Sequence, residues 1–257
     1  MSWWQTRRRA PGRSAIYVVF TWTFLRALTY GFFRLVYRTR YTGRENVPRE
    51  GAVLFVANHQ SHYDPPLIGA LVGDRPLTFV ARSGLFNFKP FAWFITFLGA
   101  MPIRQGESDL SAMKRTLAEL EAGRCVLVFP EGSRTPDGSV HPFQRGISLL
   151  LKRTKATIVP VAVEGVYDVW PTGRSFPRLR GRLAAMAGQP IEHGDLMAEG
   201  VDKAVERLRH EIDTMRMELR KDLRARTGGR LPAPSAGDRL FGEQTGEPHH
   251  PDGEQAA

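Results

Sequence analysis

Cysteine is almost missing from this 257-residue chain: Cys125 stands alone, so no internal disulfide can form. It lies in the apolar run 125–129, which reads as a buried strand and makes an inert core thiol the natural assignment rather than a nucleophile. Acidic residues are missing from the first 44 positions, where nine arginines (7, 8, 9, 13, 26, 34, 38, 40 and 44) supply most of a net charge of +10. Long apolar runs are missing as well. The uncharged stretch 15–25 is eleven residues long and Arg26 follows it, whereas a spanning helix needs about 20. No small-residue cleavage site follows that stretch, which leaves a signal peptide or twin-arginine export without support. A His-Glu-x-x-His pair, a Walker loop, a dinucleotide fingerprint and a Gly-x-Ser-x-Gly elbow are all lacking, which removes the chemistries those motifs serve.

What is present at the amino end is a mixture of arginine and aromatic rings. Eleven of the 26 Phe, Tyr and Trp residues fall in the same 44 positions. Such a segment suits the interface of an anionic bilayer, so residues 1–40 are expected to form helix lying in the cytoplasmic face of the cell membrane, peripheral or monotopic, with Arg26 and Arg34 reaching to headgroup level. Nucleic acid is a poor partner, because the chain after Glu45 is close to charge-balanced and holds no helix-turn-helix, zinc-finger or RNP-like pattern. With 42% hydrophobic content, one domain over 41–227 is the expectation. Ten of the last thirty residues are Gly or Pro, so 228–257 is expected to be a disordered tail, and His249-His250 within it is no metal site.

Between these ends, strand and helix patterns alternate. Strands are expected at 52–57, 77–81, 101–104, 125–129, 157–163 and 182–187. Leu110, Met113, Leu117 and Leu120 form one helical stripe that Gly123 stops, and Val201, Val205, Leu208, Ile212, Met215, Leu219 and Leu223 form a second, longer one. The fold class is therefore α/β: a mixed, largely parallel sheet flanked by helices, with the interfacial helical segment in front. The aromatic stretch 86–98 reads either as a buried helix or as one with a face against lipid.

Asn58-His59-Gln60-Ser61-His62-Tyr63-Asp64 follows the first strand directly. Positions five apart on a regular helix are rotated by about 140°, so His59 and Asp64 can meet only if the chain bends between them. Asp64-Pro65-Pro66 marks the end of the bend, with Asp64 as N-cap of a helix over 65–72. The carboxylate can then hold one imidazole nitrogen and leave the other free to take a proton. His62 is the rival base, and a purely structural histidine is the rival reading.

Here the chain resembles the PlsC-type glycerolipid acyltransferases. The His-x4-Asp block is followed in the family's order by Gly99-Ala-Met-Pro-Ile-Arg104, Phe129-Pro-Glu-Gly-Ser-Arg134 and Val159-Pro-Val161, and the likeness extends over about 41–223. It departs at Arg82-Ser83-Gly84, where relatives commonly carry Lys-x-Glu, and at Ala100-Met101. The resemblance implies transfer of a fatty acyl group from an acyl thioester, acyl-CoA or acyl carrier protein as cosubstrate, to the sn-2 hydroxyl of 1-acyl-glycerol-3-phosphate, with no bound cofactor and no metal. It implies His59 as base and Asp64 as its orienting partner. Arg104 and Arg134 would grip the acceptor phosphate, with Gly132 allowing close backbone approach, Glu131 holding an arginine or a glycerol hydroxyl, Ser133 in the same block, and Arg82 and Arg145 as weaker candidates. Ser61 reads as a hydrogen bonder, since direct transfer needs no acylated serine. Val159-Pro160-Val161 is either an oxyanion site or a plain core strand. Another lyso-lipid acceptor, a catalytically silent lipid-binding protein and a hydrolase are the competing functions.

Overall fold

Residues 53–57 are apolar at every position, which suits a strand covered on both faces. The computed structural model describes residues 11–12, 14, 22–82, 100–103 and 109–241, and this run is β2 (Val53–Ala57), the middle of a seven-stranded sheet. The others are β1 (Arg40–Thr42), β3 (Leu77–Arg82), β4 (Ala100–Ile103), β5 (Cys125–Val128), β6 (Thr157–Glu164) and β7 (Ala184–Ala187). Their order is β1-β7-β6-β2-β5-β3-β4, parallel throughout except between β6 and β7. This is the mixed, largely parallel sheet that the alternating pattern implied. Strand β1 gave no sequence signal, because Arg40, Tyr41 and Thr42 are only partly buried and carry no apolar run. The strand expected from 182 begins two residues later.

Alternation along β2 divides the core into two layers. Val53, Phe55 and Ala57 meet Phe33 and Tyr37 of α1 (Phe24–Tyr37) and Leu67 and Leu71 of α2 (Asp64–Val72). Leu54 and Val56 meet Met113 of α3 (Asp109–Glu121), Leu150 of α4 (Arg145–Arg153) and Leu208 and Ile212 of α7 (Val201–Thr227). Two short helices, α5 (Val166–Val169) and α6 (His193–Met197), complete the described α-helices.

Helix α1 is tied to the domain. The Trp22 indole donates to Gly73 O at 2.8 Å, and Thr39 Oγ1 closes the other end by donating to Phe33 O at 2.8 Å. Arg26 lies 4.0 Å from Asp74, and the exposed Arg34 donates to Thr39 O at 3.0 Å. No helix among the described residues is long and apolar enough to cross a membrane. Residues 1–10, 13 and 15–21 of the basic segment, and the whole aromatic stretch 86–98, lie outside the described residues.

Of the tail expected to be disordered over 228–257, the structure corrects 228–241, which fold back along α7, while 242–257 lie outside the described residues. Gly228 (φ +61) ends the helix in the left-handed conformation. Arg216 then donates to Gly237 O and Arg239 O, Arg220 to Ala233 O, Ser235 Oγ and Asp238, and Arg224 to Pro232 O. Arg216 is fully buried beside Asp213 (2.7 Å), and Arg220 reaches Glu164 at the end of β6 (2.6 Å). A Gly and Pro count registers scarce apolar surface and is blind to arginines on another element that bind a strap by its carbonyls.

Candidate active site

Strands β2 and β5 are adjacent and parallel, with Val56 opposite Val128, so the loops that leave their carboxyl ends emerge side by side. In open α/β sheets that edge is where ligands bind. The loop after β2 carries His59, and the loop after β5 carries Phe129 to Arg134.

Asn58 prolongs the sheet with its side chain, donating to Val163 O at 3.0 Å and accepting from Val163 N at 2.9 Å. The bend that follows is organised by a single oxygen. Asp64 Oδ2 accepts the N–H of Gln60 at 2.6 Å and of Ser61 at 2.7 Å, and stands 2.8 Å from His59 Nδ1. Asp64 was expected to cap its own helix. It is instead the first residue of α2, makes no cap bond, and turns its carboxylate on the bend behind it. It is fully buried. Burial pushes its carboxyl up from the ordinary value, and the His59 ring and the two N–H donors oppose that rise.

His59 is held on three other sides. Its N–H donates to Glu131 Oε1 at 2.7 Å, its carbonyl accepts from Thr135 N at 2.7 Å, and its ring stacks on Phe129 with centroids 4.0 Å apart. With Nδ1 turned to Asp64, Nε2 has no hydrogen-bond partner among the described residues, and 19% of the side chain remains exposed. The carboxylate favours the tautomer with the proton on Nδ1, which leaves Nε2 as the lone-pair nitrogen on an open face.

Glu131 is corrected in role. One carboxylate oxygen takes the His59 N–H and the other takes the His141 N–H at 3.0 Å, so it binds backbone rather than an arginine or a substrate hydroxyl. Burial pushes this carboxyl up from 4.5 to about 8, against the pull of those two donors. Gly132 adopts φ +72, and a Cβ there would come 3.0 Å from Gln144 Cγ, so the turn itself demands glycine. Ser133 is exposed and Arg134 half-buried, both on the loop wrapped round His59. The Arg134 charge lies close enough to His62 to act on it: desolvation first, then Arg134 and His59, lowers the His62 ring to about 4 although it keeps solvent contact. A ring with so little affinity for protons is a poor rival base. Ser61 is the hydrogen bonder expected, with its hydroxyl donated to Trp170 O at 2.9 Å.

Arg82 closes β3, but its side chain lies outside the described residues, as does the whole of Arg104. Strand β4 ends at Ile103 on the same sheet edge as His59. Arg145 is the exposed first residue of α4. Val159, Pro160 and Val161 are buried in β6, paired with β2 on one side, while Val161 also pairs with Ala187 of β7, so they form a core strand and not an oxyanion site. Among the described residues there is no group of three or more His, Cys, Asp or Glu that could hold a metal ion. Sequence reading missed the clamp of Phe129, Glu131 and Thr135 on His59, since all three lie 70 or more positions from it along the chain and meet it only in space.

Residues 38–164 match the family model described as Acyltransferase. A chloroplast 1-acyl-sn-glycerol-3-phosphate acyltransferase of Brassica napus is 28% identical over 158 residues, covering 60% of this chain and 45% of that protein. A lyso-ornithine lipid O-acyltransferase of Pseudomonas aeruginosa is 34% identical over 139 residues, covering 52% of each. The chain thus spans about half the length of these relatives. The crystal structure of the 1-acyl-sn-glycerophosphate acyltransferase PlsC from Thermotoga maritima superposes with a TM-score of 0.64 at 24% identity, over 79% of this chain and 90% of that one, which establishes the shared fold.

Proposed function

Since the chain belongs to the PlsC-type acyltransferase family, we propose that it moves a fatty acyl group from a thioester to the hydroxyl of a lysophospholipid, with 1-acyl-glycerol-3-phosphate as acceptor and phosphatidic acid as product. The observation that carries this reading is the His59–Asp64 pair, 2.8 Å apart, with Nε2 facing the open side.

In the proposed reaction the acceptor hydroxyl approaches Nε2, which takes its proton as the oxygen attacks the thioester carbonyl. An alcohol is far too weak an acid to ionise alone at neutral pH, and a positioned histidine contributes about 10² to 10⁴-fold to such a step. Asp64 stabilises the imidazolium without itself being protonated. When the tetrahedral intermediate collapses, the carbon–sulfur bond breaks and the thiolate leaves with the proton from Nε2. No acyl-enzyme is required, in keeping with a Ser61 hydroxyl engaged by Trp170. Arg134, on the clamping loop, is proposed to meet the acceptor phosphate, together with Arg104 and Arg82. The donor is proposed to be acyl-CoA or acyl carrier protein, and no bound cofactor is invoked.

The protein is proposed to work on the cytoplasmic face of the cell membrane. Helix α1 supports this with an exposed row of Phe24, Leu28 and Leu35, the last 83% accessible. A second acceptor reading, a phosphate-free lyso-lipid, is favoured by the 34% identity to the lyso-ornithine lipid enzyme.

Thioester consumption with and without lysophosphatidic acid, for the parent and His59→Ala, tests the proposal. Consumption that depends on the acceptor and falls at least about a hundredfold in the variant is expected. Equal consumption without acceptor would identify a hydrolase, and full activity on acceptors lacking phosphate would remove the role given to the arginines.

A further inference from the structure

The segment 171–182, between α5 and β7, carries Arg174, Arg178, Arg180 and Arg182 and no acidic residue. Two large apolar side chains stand among them: Phe176 is 78% exposed and Leu179 71%. The backbone beneath is anchored. Arg178 N donates to Val169 O at 2.9 Å, Tyr37 Oη to Arg178 O at 3.0 Å, and the Trp170 indole to Arg174 O at 2.8 Å. Phe176 and Leu179 are therefore displayed by a tethered loop, where exposing them to water alone would be unfavourable.

The loop also borders the site. Trp170, at its base, accepts the Ser61 hydroxyl and stacks edge-on with Tyr63 at 4.9 Å and His62 at 5.2 Å. Tyr63 in turn meets Phe32 of α1 at 6.2 Å. A continuous aromatic path thus joins the loop, the bend that holds His59 and the helix carrying the exposed apolar row.

We propose that residues 171–182 are a second membrane-docking element, in which Phe176 and Leu179 enter the headgroup layer of an anionic bilayer while Arg174, Arg178 and Arg180 pair with its phosphates. The loop and α1 then flank the His59 bend and present it to an acceptor lying in the same leaflet. This rests on the membrane reading given above but assigns contact to residues outside the amino-terminal segment. The phosphates of a soluble thioester donor would match the arginines equally well, but they leave exposed Phe176 and Leu179 without a role.

The test labels Leu179→Cys in the full chain with an environment-sensitive fluorophore; Cys125 is only 1% exposed and does not compete for label. Equimolar phosphatidylglycerol and phosphatidylcholine vesicles should shift the emission to the blue, high salt should reverse the shift, and pure phosphatidylcholine should produce little. Leu35→Cys labelled in the same way reports on α1. A response at Leu35 with none at Leu179 overturns the loop proposal and leaves the membrane reading intact, whereas no response at either with no co-sedimentation overturns both. Phe176→Ser/Leu179→Ser should weaken vesicle partition at least about tenfold with an unchanged thermal midpoint; unchanged partition overturns the proposal. So would Arg174→Gln/Arg180→Gln that weakens donor binding while vesicle binding persists.

Discussion

Glu131 Oε1 accepts the backbone N–H of His59 at 2.7 Å, so a carboxylate 72 positions downstream holds the proposed base from behind. The second oxygen binds His141 N–H, and glutamine cannot accept at both positions. Glu131→Gln is therefore expected to lose about 1–3 kcal/mol of stability through one orphaned buried N–H. Its kcat is expected to fall up to about a hundredfold with the shift of His59, while KM stays close to the parent value. The pH dependence has a definite sign. A carboxyl raised from 4.5 to about 8 holds its proton longer in the folded chain, so its contribution to stability declines as pH climbs through that window. Chemical denaturation of both proteins across the window checks this, the variant giving the flatter profile.

Asp64→Asn keeps one oxygen that can accept from Gln60 and Ser61 but removes the negative charge 2.8 Å from His59 Nδ1, and it puts an NH2 group at the buried, partnerless Oδ1 position. Turnover is expected to drop by about 10² to 10⁴-fold. Steady-state rates together with circular dichroism separate that loss from unfolding.

His62→Gln is expected to keep its rate within about tenfold of the parent, where His59→Gln loses 10² to 10⁴-fold. The His62 ring is lowered from 6.5 to about 4, so the unfolded chain takes up the proton first as pH falls. Stability lost on acidification between those values should be smaller in the variant. A rate collapse in His62→Gln with activity retained in His59→Gln would exchange the two roles.

Arg220→Leu leaves Glu164 without its 2.6 Å partner and loosens Asp238 and the strap carbonyls. Breaking a buried ion pair by removing one member costs about 3–5 kcal/mol, which a urea titration at neutral pH would register. Deleting residues 230–257 is expected to destabilise the domain for the same reason, since 230–241 carry the carbonyls that the α7 arginines bind.

Cys125 is expected to resist maleimide in the native protein at neutral pH. Burial pushes its thiol up to about 11, so both access and thiolate are lacking. Labelling should become complete only in denaturant.

Much of the fold was legible because its signals are local. The apolar run of β2, the stripe that Gly123 ends and the long stripe of α7 each report burial through residues that are neighbours in sequence. The spacing of His59 and Asp64, next to Asp64-Pro65-Pro66, was enough to require a bend, although the carboxylate serves that bend and not the helix after it. Reading Glu131 as a ligand for substrate failed because its partner N–H groups belong to residues brought near only by the pairing of β2 with β5. The strap at 228–241 was missed because its binding sites are arginines on α7 that, as sequence, resemble any solvated helix face.

By itself the sequence determined which residues could do acid–base work and which stretches had to be buried, because residue type and period fix polarity and face. Only the tertiary structure decided which of those groups meet. The bonds of 2.6 to 2.8 Å that Asp64 makes with His59, Gln60 and Ser61 close within one bend of the chain, whereas the 2.7 Å bond from the His59 N–H to Glu131, 72 positions away, forms only because the parallel pairing of β2 with β5 brings their loops to one edge, and no local pattern encodes that meeting.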